Sequence, residues 1–334
     1  MEKLKLISVN VNGLNSPTKR SKIRSQLKSH KADVIFLQET HVKTSHSALL
    51  KCKALGQEFI ASANEKKRGV VTYIKNETIQ VLEEIKDPEA RYMILKCKLP
   101  DDSIWLLVNV YAPNQGKALF FQKLTSILLD HAETSIILAG DLNAVPNPKL
   151  DKSRPIEGNK FPKSAIKSFK QLNLLDIWRD KFAEQRNYTF YSDRHDSYSR
   201  IDQIWISNTL VPMVKSVDIL PNTFADHSPL ELNISFRRPG SRRWRIDRQI
   251  LKHEVIKVKL VDEMKTFFQI NDDGYPSAKL LWDSFKAFIR GKIIGLTASM
   301  KKNRSQQMSQ ILDQLKQLEH EHQRTCSKKT FQKN

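Results

Sequence analysis

Short apolar runs that end in polar clusters recur along the first two thirds of the chain. Leu4–Asn10 ends at Asn10-Val11-Asn12-Gly13, and Asp33–Leu37 ends at Gln38-Glu39-Thr40. Ile104–Tyr111 ends at Ala112-Pro113-Asn114, and Ile136-Ile137-Leu138-Ala139 drives into Gly140-Asp141-Leu142-Asn143. Apolar runs of this length bounded by turn residues predict buried strands. Between the first two, Asn15-Ser16-Pro17 opens a basic amphipathic helix over Thr18–Lys28, with Ser16 as N-cap and Pro17 at N1. Strand–helix–strand with apolar strands is the pattern of a covered sheet in an α/β protein.

Gly69–Ile74, Ile79–Ile85, Tyr92–Leu99 and Ile104–Tyr111 are separated by polar breaks such as Asp87-Pro88 and Pro100–Asp102, which predicts an antiparallel meander. A helix over Ala118–Asp130 leads to the strand before Asp141, and Pro146–Pro162 reads as a surface loop. A helix near Ser164–Leu172, the segments Leu174–Trp178 and Tyr188–Ser192, a polar loop Asp193–Ser199 and the strand Arg200–Ile206 follow. Leu230–Phe236 is the final strand. From Arg237 the character changes: residues 237–246 form a basic linker of the kind that marks a domain boundary, and 247–334 form a helical tail. Apolar residues fall at helical spacing in Ile250–Phe268 and Ala278–Leu296. Met308, Ile311, Leu315, Leu318 and His322 follow a 3-4-3-4, coiled-coil-like pattern.

Charge sharpens this picture. The 334 residues carry 56 Lys and Arg against 36 Asp and Glu, a net +20, which points to a polyanionic partner, nucleic acid or an acidic membrane surface. From Arg237 onward there are 22 Lys and Arg against 10 Asp and Glu, which leaves 34 against 26 in residues 1–236, so both parts are basic. No apolar run approaches the roughly 20 residues of a membrane helix, and the N-terminus lacks the apolar stretch of a signal peptide. Cys52, Cys97 and Cys326 have no metal-site spacing and fit a reducing compartment. The expected location is nucleus or cytoplasm, neither secreted nor membrane-spanning.

Polar residues at the ends of apolar strands are how α/β proteins build a site. Here the tips carry Asn10 and Asn12, Glu39, Tyr111 and Asn114, Asp141 and Asn143, and Asp202 with Asp226-His227. Two residues apart on a strand, Asp141 and Asn143 share a face and reach one phosphate together. Phosphodiester hydrolysis requires neutralising the phosphate, activating a water and stabilising the leaving oxygen. Glu39 offers a hard oxygen ligand for Mg²⁺, shared with an Asn amide oxygen. His227 holds a phosphate or a proton with Asp202 orienting it, Asp141 is left as the base, and Asn143 and Tyr111 hydrogen-bond phosphate oxygens. No GxxxxGK[ST], HExxH or GxSxG motif is present, and each polar tip taken singly is an ordinary turn former.

The ordered motifs Ser8–Leu14, Leu37–His41, Val110–Asn114, Ala139–Asn143, Ser199–Asp202 and Ala225–Ser228 resemble the endonuclease/exonuclease/phosphatase superfamily. Within it, Asn10–Ser16, Gln38–His41, Asn187–Ser192 and Tyr198–Asp202 look like the endonuclease domain of LINE-type retrotransposon proteins. Trp244-Arg245-Ile246 and Leu281–Lys292 look like the connector that follows it in those proteins. The resemblance covers about Leu4–Phe236 and implies a four-layer sandwich, two mixed sheets packed face to face with helices outside, followed here by a helical extension. It implies Glu39 as main metal ligand with Asn10 and Asn12 beside it, and Mg²⁺, with Mn²⁺ as substitute. It puts Tyr111, Asp141 and Asn143 around the phosphate and attacking water, and has Asp202 orient His227 with Asp226 alongside. Asn114, Thr189 and Ser199 contact DNA or support the site, and Arg200, beside them, is expected to bind DNA.

The resulting expectation is a Mg²⁺-dependent endonuclease that nicks duplex DNA, with RNA a further partner for the basic tail. Apurinic endonucleases carry Asp where this chain has Asn12, which weighs against abasic-site cleavage. No reverse-transcriptase pattern follows before Asn334, so a truncated or domesticated copy, or an incomplete gene, is expected. The alternatives are a repair nuclease of the apurinic-endonuclease or exonuclease III type, a non-catalytic nucleic-acid-binding remnant, and a phosphoinositide or sphingolipid phosphatase.

Overall fold

Period-two alternation along the strands builds two six-stranded sheets that share one core. The computed structural model describes residues 2–154, 160–223, 225–236, 253–271 and 277–331. The early strands are β1 (Glu2–Asn10), β2 (Val34–Gln38), β3 (Gln57–Ala61), β4 (Val70–Ile74) and β5 (Gln80–Lys86). They are followed by β6 (Tyr92–Lys98), β7 (Ile104–Tyr111), β8 (Ser135–Asp141) and β9 (Leu174–Asp176). Last come β10 (Phe190–Ser192), β11 (Ser197–Ser199), β12 (Asp202–Ser207), β13 (Val214–Ile219) and β14 (Leu230–Phe236).

The first sheet has the order β13-β14-β1-β2-β4-β3, the second β5-β6-β7-β8-β12-β9, and β10 and β11 form a separate hairpin. Each large sheet has one parallel pair, β1–β2 and β7–β8, and each pair is joined by a helix, α1 (Pro17–His30) and α2 (Lys117–Leu129). Parallel neighbours require such a crossover. Ser16 caps α1, its hydroxyl accepting from the Lys19 N–H, with Pro17 in the first turn. The helices α3 (Lys163–Gln171) and α4 (Ile177–Lys181) complete this part.

Alternate residues of each strand face opposite sides. The inward rows Leu4/Leu6, Val34/Phe36, Trp105/Leu107, Ile137/Ala139 and Ile204/Ile206 fill the space between the sheets. The outward rows pack under helices: Ile7, Val9, Ile35 and Leu37 against Ile23 and Leu27 of α1, and Leu106, Val108, Ile136 and Leu138 against Phe121 and Leu124 of α2 with Phe169 of α3. Two sheets with helices outside is the four-layer arrangement anticipated above.

Two expectations change. The strand Gly69–Ile74 does not join the meander, which is β5-β6-β7 alone; β4 lies in the first sheet between β2 and β3. Every residue of β4 is buried, as in a central strand, whereas β5 is an edge with most of its residues exposed. The segment Pro146–Pro162 is anchored inside the protein at Asp151 and Phe161, both buried, so its described part is not a simple surface loop.

Gly140 is fixed by backbone packing. Its φ is +146°, and a Cβ placed on it falls 1.9 Å from the Val110 carbonyl oxygen of neighbouring β7. Gly140→Ala therefore forces β7 and β8 apart, at an expected loss of about 2–3 kcal/mol read from urea-unfolding midpoints.

The helical part, taken by itself, consists of α5 (Glu254–Asn271) and α6 (Ala278–Phe331). Ile256 and Leu260 of α5 pack on Ile293 of α6, Phe267 stacks among Phe285 and Phe288, and Lys292 pairs with Glu263 at 2.8 Å. The two separate tail helices expected become α5 and one continuous α6 that carries the whole 3-4-3-4 row. Met308, Ile311 and Leu318 of that row are exposed. The basic linker 237–246, with Trp244-Arg245-Ile246, lies outside the described residues.

Candidate active site

At one end of the sandwich the inward rows turn from apolar to polar. Leu6-Ser8-Asn10, Phe36-Gln38, Leu107-Asn109-Tyr111, Ala139-Asp141 and Ile204-Asp202 are continuations of core rows. Asn10 and Asp141 thus meet across the gap between the sheets, the Asn10 Nδ2 donating to Asp141 Oδ2 at 2.9 Å. On the adjoining strand Asp202 lies opposite Asp141, and its Oδ2 is 2.8 Å from His227 Nδ1. The ring of Phe190 covers the imidazole.

Glu39 follows β2 in a left-handed conformation, φ +52°, as do Asn12, His41 and Asn143 at the same rim. Non-glycine residues held there mark backbone strain that concentrates at functional sites. Burial alone raises the Glu39 carboxyl, but hydrogen bonds from His41, Tyr111 and Asn10 outweigh it and hold it at about 2. Burial and that carboxylate hold the Tyr111 phenol far above its ordinary range, so it stays a donor. Burial and the charge of Asp202 push Asp141 up from the usual carboxylate range. Burial works against the His227 imidazolium, yet Asp202 and Asp141 together raise it well above neutrality.

Two donor sets fit a divalent cation. Asp141, Asp202 and His227 offer ligand atoms within 4.8 Å of one another, and the buried Asp202 Oδ1 has no hydrogen-bond partner among the described residues. A cation held there would compete with the proton that Asp202 and Asp141 favour on the imidazole. The ionised, partly accessible Glu39 carboxylate is the hard oxygen donor that suits Mg²⁺. Asn10 offers its amide nitrogen to Glu39 and Asp141, and its oxygen accepts from the Asn12 N–H at 3.0 Å. In this geometry Asn10 orients the carboxylates.

Of the remaining expected residues, Asn12 donates to Asp226 Oδ2 at 2.9 Å, both exposed at the rim. Asn143 does not share a strand face with Asp141, because β8 stops at Asp141. The two meet through a turn instead, the Asn143 N–H donating to Asp141 Oδ1 at 2.8 Å while its amide holds the Ala112 carbonyl. Thr189 is buried and ties three segments: its hydroxyl accepts from Asp202 N–H, its own N–H reaches the Ser199 carbonyl, and its carbonyl accepts from Ser228 N–H. Ser199 is half-buried in the β10–β11 hairpin and Asn114 is exposed after β7.

Arg200 is the correction. Expected at the DNA surface, it is 1% exposed, its guanidinium bonded to Asp151 at 2.8 Å and Asp176 at 2.6 Å and stacked over Trp178. A side chain sealed in this way cannot reach a phosphate.

The sequence reasoning assigned no role to His41, whose Nε2 lies 3.4 Å from the Glu39 carboxylate. It also missed a buried polar layer beneath the site. There Gln38 donates to Ser8 and Asn109, and Asn109 donates to the Leu37 and Val71 carbonyls. The available signal was Ser8, Thr72 and Asn109 standing at inward positions of otherwise apolar strands.

Residues 7–227 match the Endonuclease/Exonuclease/phosphatase family. The chain is 26% identical over 296 residues to the Transposon TX1 uncharacterized 149 kDa protein of Xenopus laevis. That alignment covers 86% of this chain, which spans only 22% of the transposon protein's length. It is also 26% identical to the exodeoxyribonuclease of Bacillus subtilis (strain 168), across 70% of this chain and 100% of that protein. Among solved structures, AP endonuclease LMAP from Leishmania major superposes with a TM-score of 0.60 at 21% identity, covering 70% of this chain and 88% of that one. A variant of the 3′ phosphatase NExo from Neisseria, bound to product DNA hairpin, does so at 0.57 and 20%, covering 70% and 100%. These two share the fold. No helix among the described residues is long and apolar enough to cross a membrane. With two mixed sheets, helices outside and a polar site at the ends of the inner strands, the chain belongs to the endonuclease/exonuclease/phosphatase family.

Proposed function

We propose that this protein is a Mg²⁺-dependent endonuclease that nicks duplex DNA, of the kind carried by LINE-type retrotransposon proteins. The observation that carries the reading is the meeting of Asn10 with Asp141 across the two sheets, beside the Asp202–His227 pair. It leaves a buried carboxylate facing an imidazole held by a second carboxylate, the set required to take a proton from water and to steady a phosphate. Glu39 would hold the metal, which when bound neutralises phosphate charge. Tyr111 donates to phosphate oxygen or to Glu39. His227, protonated and fixed by Asp202, donates to a phosphate oxygen. Asp141 accepts the proton of the attacking water, and Asn10 and the Asn143 N–H hold its two oxygens. The similarity to the transposon protein over most of the chain supports the retroelement assignment.

The test is conversion of supercoiled plasmid to nicked circle with Mg²⁺. The wild type is expected to nick, chelation to stop it, and His227→Ala to lower the rate about 10²–10³-fold. Equal nicking by wild type and His227→Ala would sink the proposal. A repair nuclease is the second reading, favoured by full-length similarity to the Bacillus exodeoxyribonuclease. Cleavage of an abasic duplex far faster than of the intact duplex would select it.

A further inference from the structure

Helix α1 carries five cations, Lys19, Arg20, Lys22, Arg24 and Lys28, and no acidic residue. They do different things. Arg20 donates to the Leu14 and Asn15 carbonyls, and Arg24 to those of Leu49 and Lys51, so both arginines tie loops to the helix. Lys19 donates to the Asn12 carbonyl, which places its ammonium at the rim where Asn12 meets Asp226. Lys22 is exposed and has no hydrogen-bond or ion-pair partner among the described residues. Ile23 and Leu27 bury the opposite face.

Beside Lys19 and Lys22 runs an open trough of about 730 Å³, whose lining includes the hydroxyl-bearing residues Ser16, Thr18, Ser25, Ser29 and Thr223. Gln26 and Thr223, which are hydrogen-bonded to each other, also line it. Thr18, Lys22, Ser25 and Ser29 stand at i, i+4, i+7 and i+11, one face of the helix, a track of about 16 Å. Among the described residues, no carboxylate, aromatic or large apolar side chain lines the trough. Cations interspersed with hydroxyls, without a surface on which bases stack, suit phosphate and sugar oxygens and read no sequence.

We propose that this face of α1 is a second subsite, which takes the phosphate backbone of the duplex flanking the scissile phosphate. The inference rests on the nuclease reading for the identity of the polyanion. Lys19 joins it to the catalytic rim, and Lys22 with the serine hydroxyls of the second and third turns carries the strand onward. Its contribution is to affinity and register.

The measurement is equilibrium binding of a fluorescent 30-base-pair duplex to the full chain without divalent metal, across a salt series. Lys22→Ala is expected to lower the slope of log K against log[salt] by about 0.9, the loss of one phosphate contact, and to weaken binding about fivefold regardless of sequence. Lys28, exposed on the same helix but outside the trough, supplies the comparison. Lys28→Ala removes the same charge and is expected to change the slope by less than half as much. Equal slopes for Lys22→Ala and Lys28→Ala overturn the subsite. A lowered slope in a protein that nicks nothing retains the track and overturns the nuclease reading instead.

Discussion

Asp141→Asn is expected to fold, to bind duplex DNA and to nick it about 10²–10⁴-fold more slowly than the wild type, the range lost when a general base is removed. The substitution is nearly isosteric but not silent. Both oxygens of Asp141 are acceptors, one for Asn10 Nδ2 and one for the Asn143 N–H. The new amide must turn a donor toward one of them, at a local cost of about 1–3 kcal/mol, which a thermal scan will register. The pH profile separates lost chemistry from lost structure. Burial and Asp202 raise the Asp141 pKa, so the base is protonated at acid pH and becomes competent only as pH climbs through the raised value. The wild-type rate is therefore expected to rise toward neutrality, and the residual rate of the variant to lack that limb. A variant that nicks within tenfold of wild type would remove Asp141 from the role of base.

Most of this site was legible because it continues the period-two rows that make the core. Ile137 and Ala139 announce that Asp141 faces the partner sheet, and Ile206 and Ile204 do the same for Asp202. Polar residues at the apolar-row positions of several strands converge once the strands pack face to face. What was not legible depends on departures from that period. The left-handed Glu39, His41 and Asn143 leave the strand geometry, so the Glu39–His41 contact and the turn joining Asn143 to Asp141 cannot be counted out from spacing. The membership of β4 was equally hidden. Its pattern fixes that it is buried on both faces, and only long-range pairing with β2 and β3 decides in which sheet. Arg200 misled for a different reason: an arginine beside a catalytic motif in a basic chain reads as a phosphate ligand. Its partners Asp151 and Asp176 lie 49 and 24 residues away, in segments with no recognisable motif.

Arg200→Leu is accordingly expected to act on stability, and strongly. The guanidinium is sealed between two carboxylates, and removing one partner of a buried charged network costs about 3–5 kcal/mol because the other charges stay buried without compensation. Against a total of about 5–15 kcal/mol that loss is severe. The damage is unequal. Asp151 keeps Arg179 and the Asn147 N–H, whereas Asp176 loses the guanidinium donor on its Oδ2 and keeps the Arg179 N–H on Oδ1. Burial raises the Asp151 carboxyl, but Arg200, helped by the Asn147 N–H and Arg179, more than offsets it and depresses the pKa below its usual value. That stabilisation is fully present above the unfolded value of about 3.9 and disappears as pH falls through the lower folded one. The difference between wild type and variant in urea-unfolding free energy is thus expected to be full at pH 7 and to shrink below about pH 4. Adding Asp176→Asn to Arg200→Leu removes the stranded charge and is expected to recover part of the loss, giving a coupling energy of about 1–3 kcal/mol in the double-mutant cycle. Additive effects of the two substitutions, or a difference that does not vary with pH, would show that Arg200 stabilises through packing on Trp178 alone. The position matters for the site because the Arg200 N–H donates to the Asp151 carbonyl at 2.9 Å, two residues before Asp202. Loosening this cluster is therefore expected to lower nicking through the Asp202–His227 pair even where the fold survives.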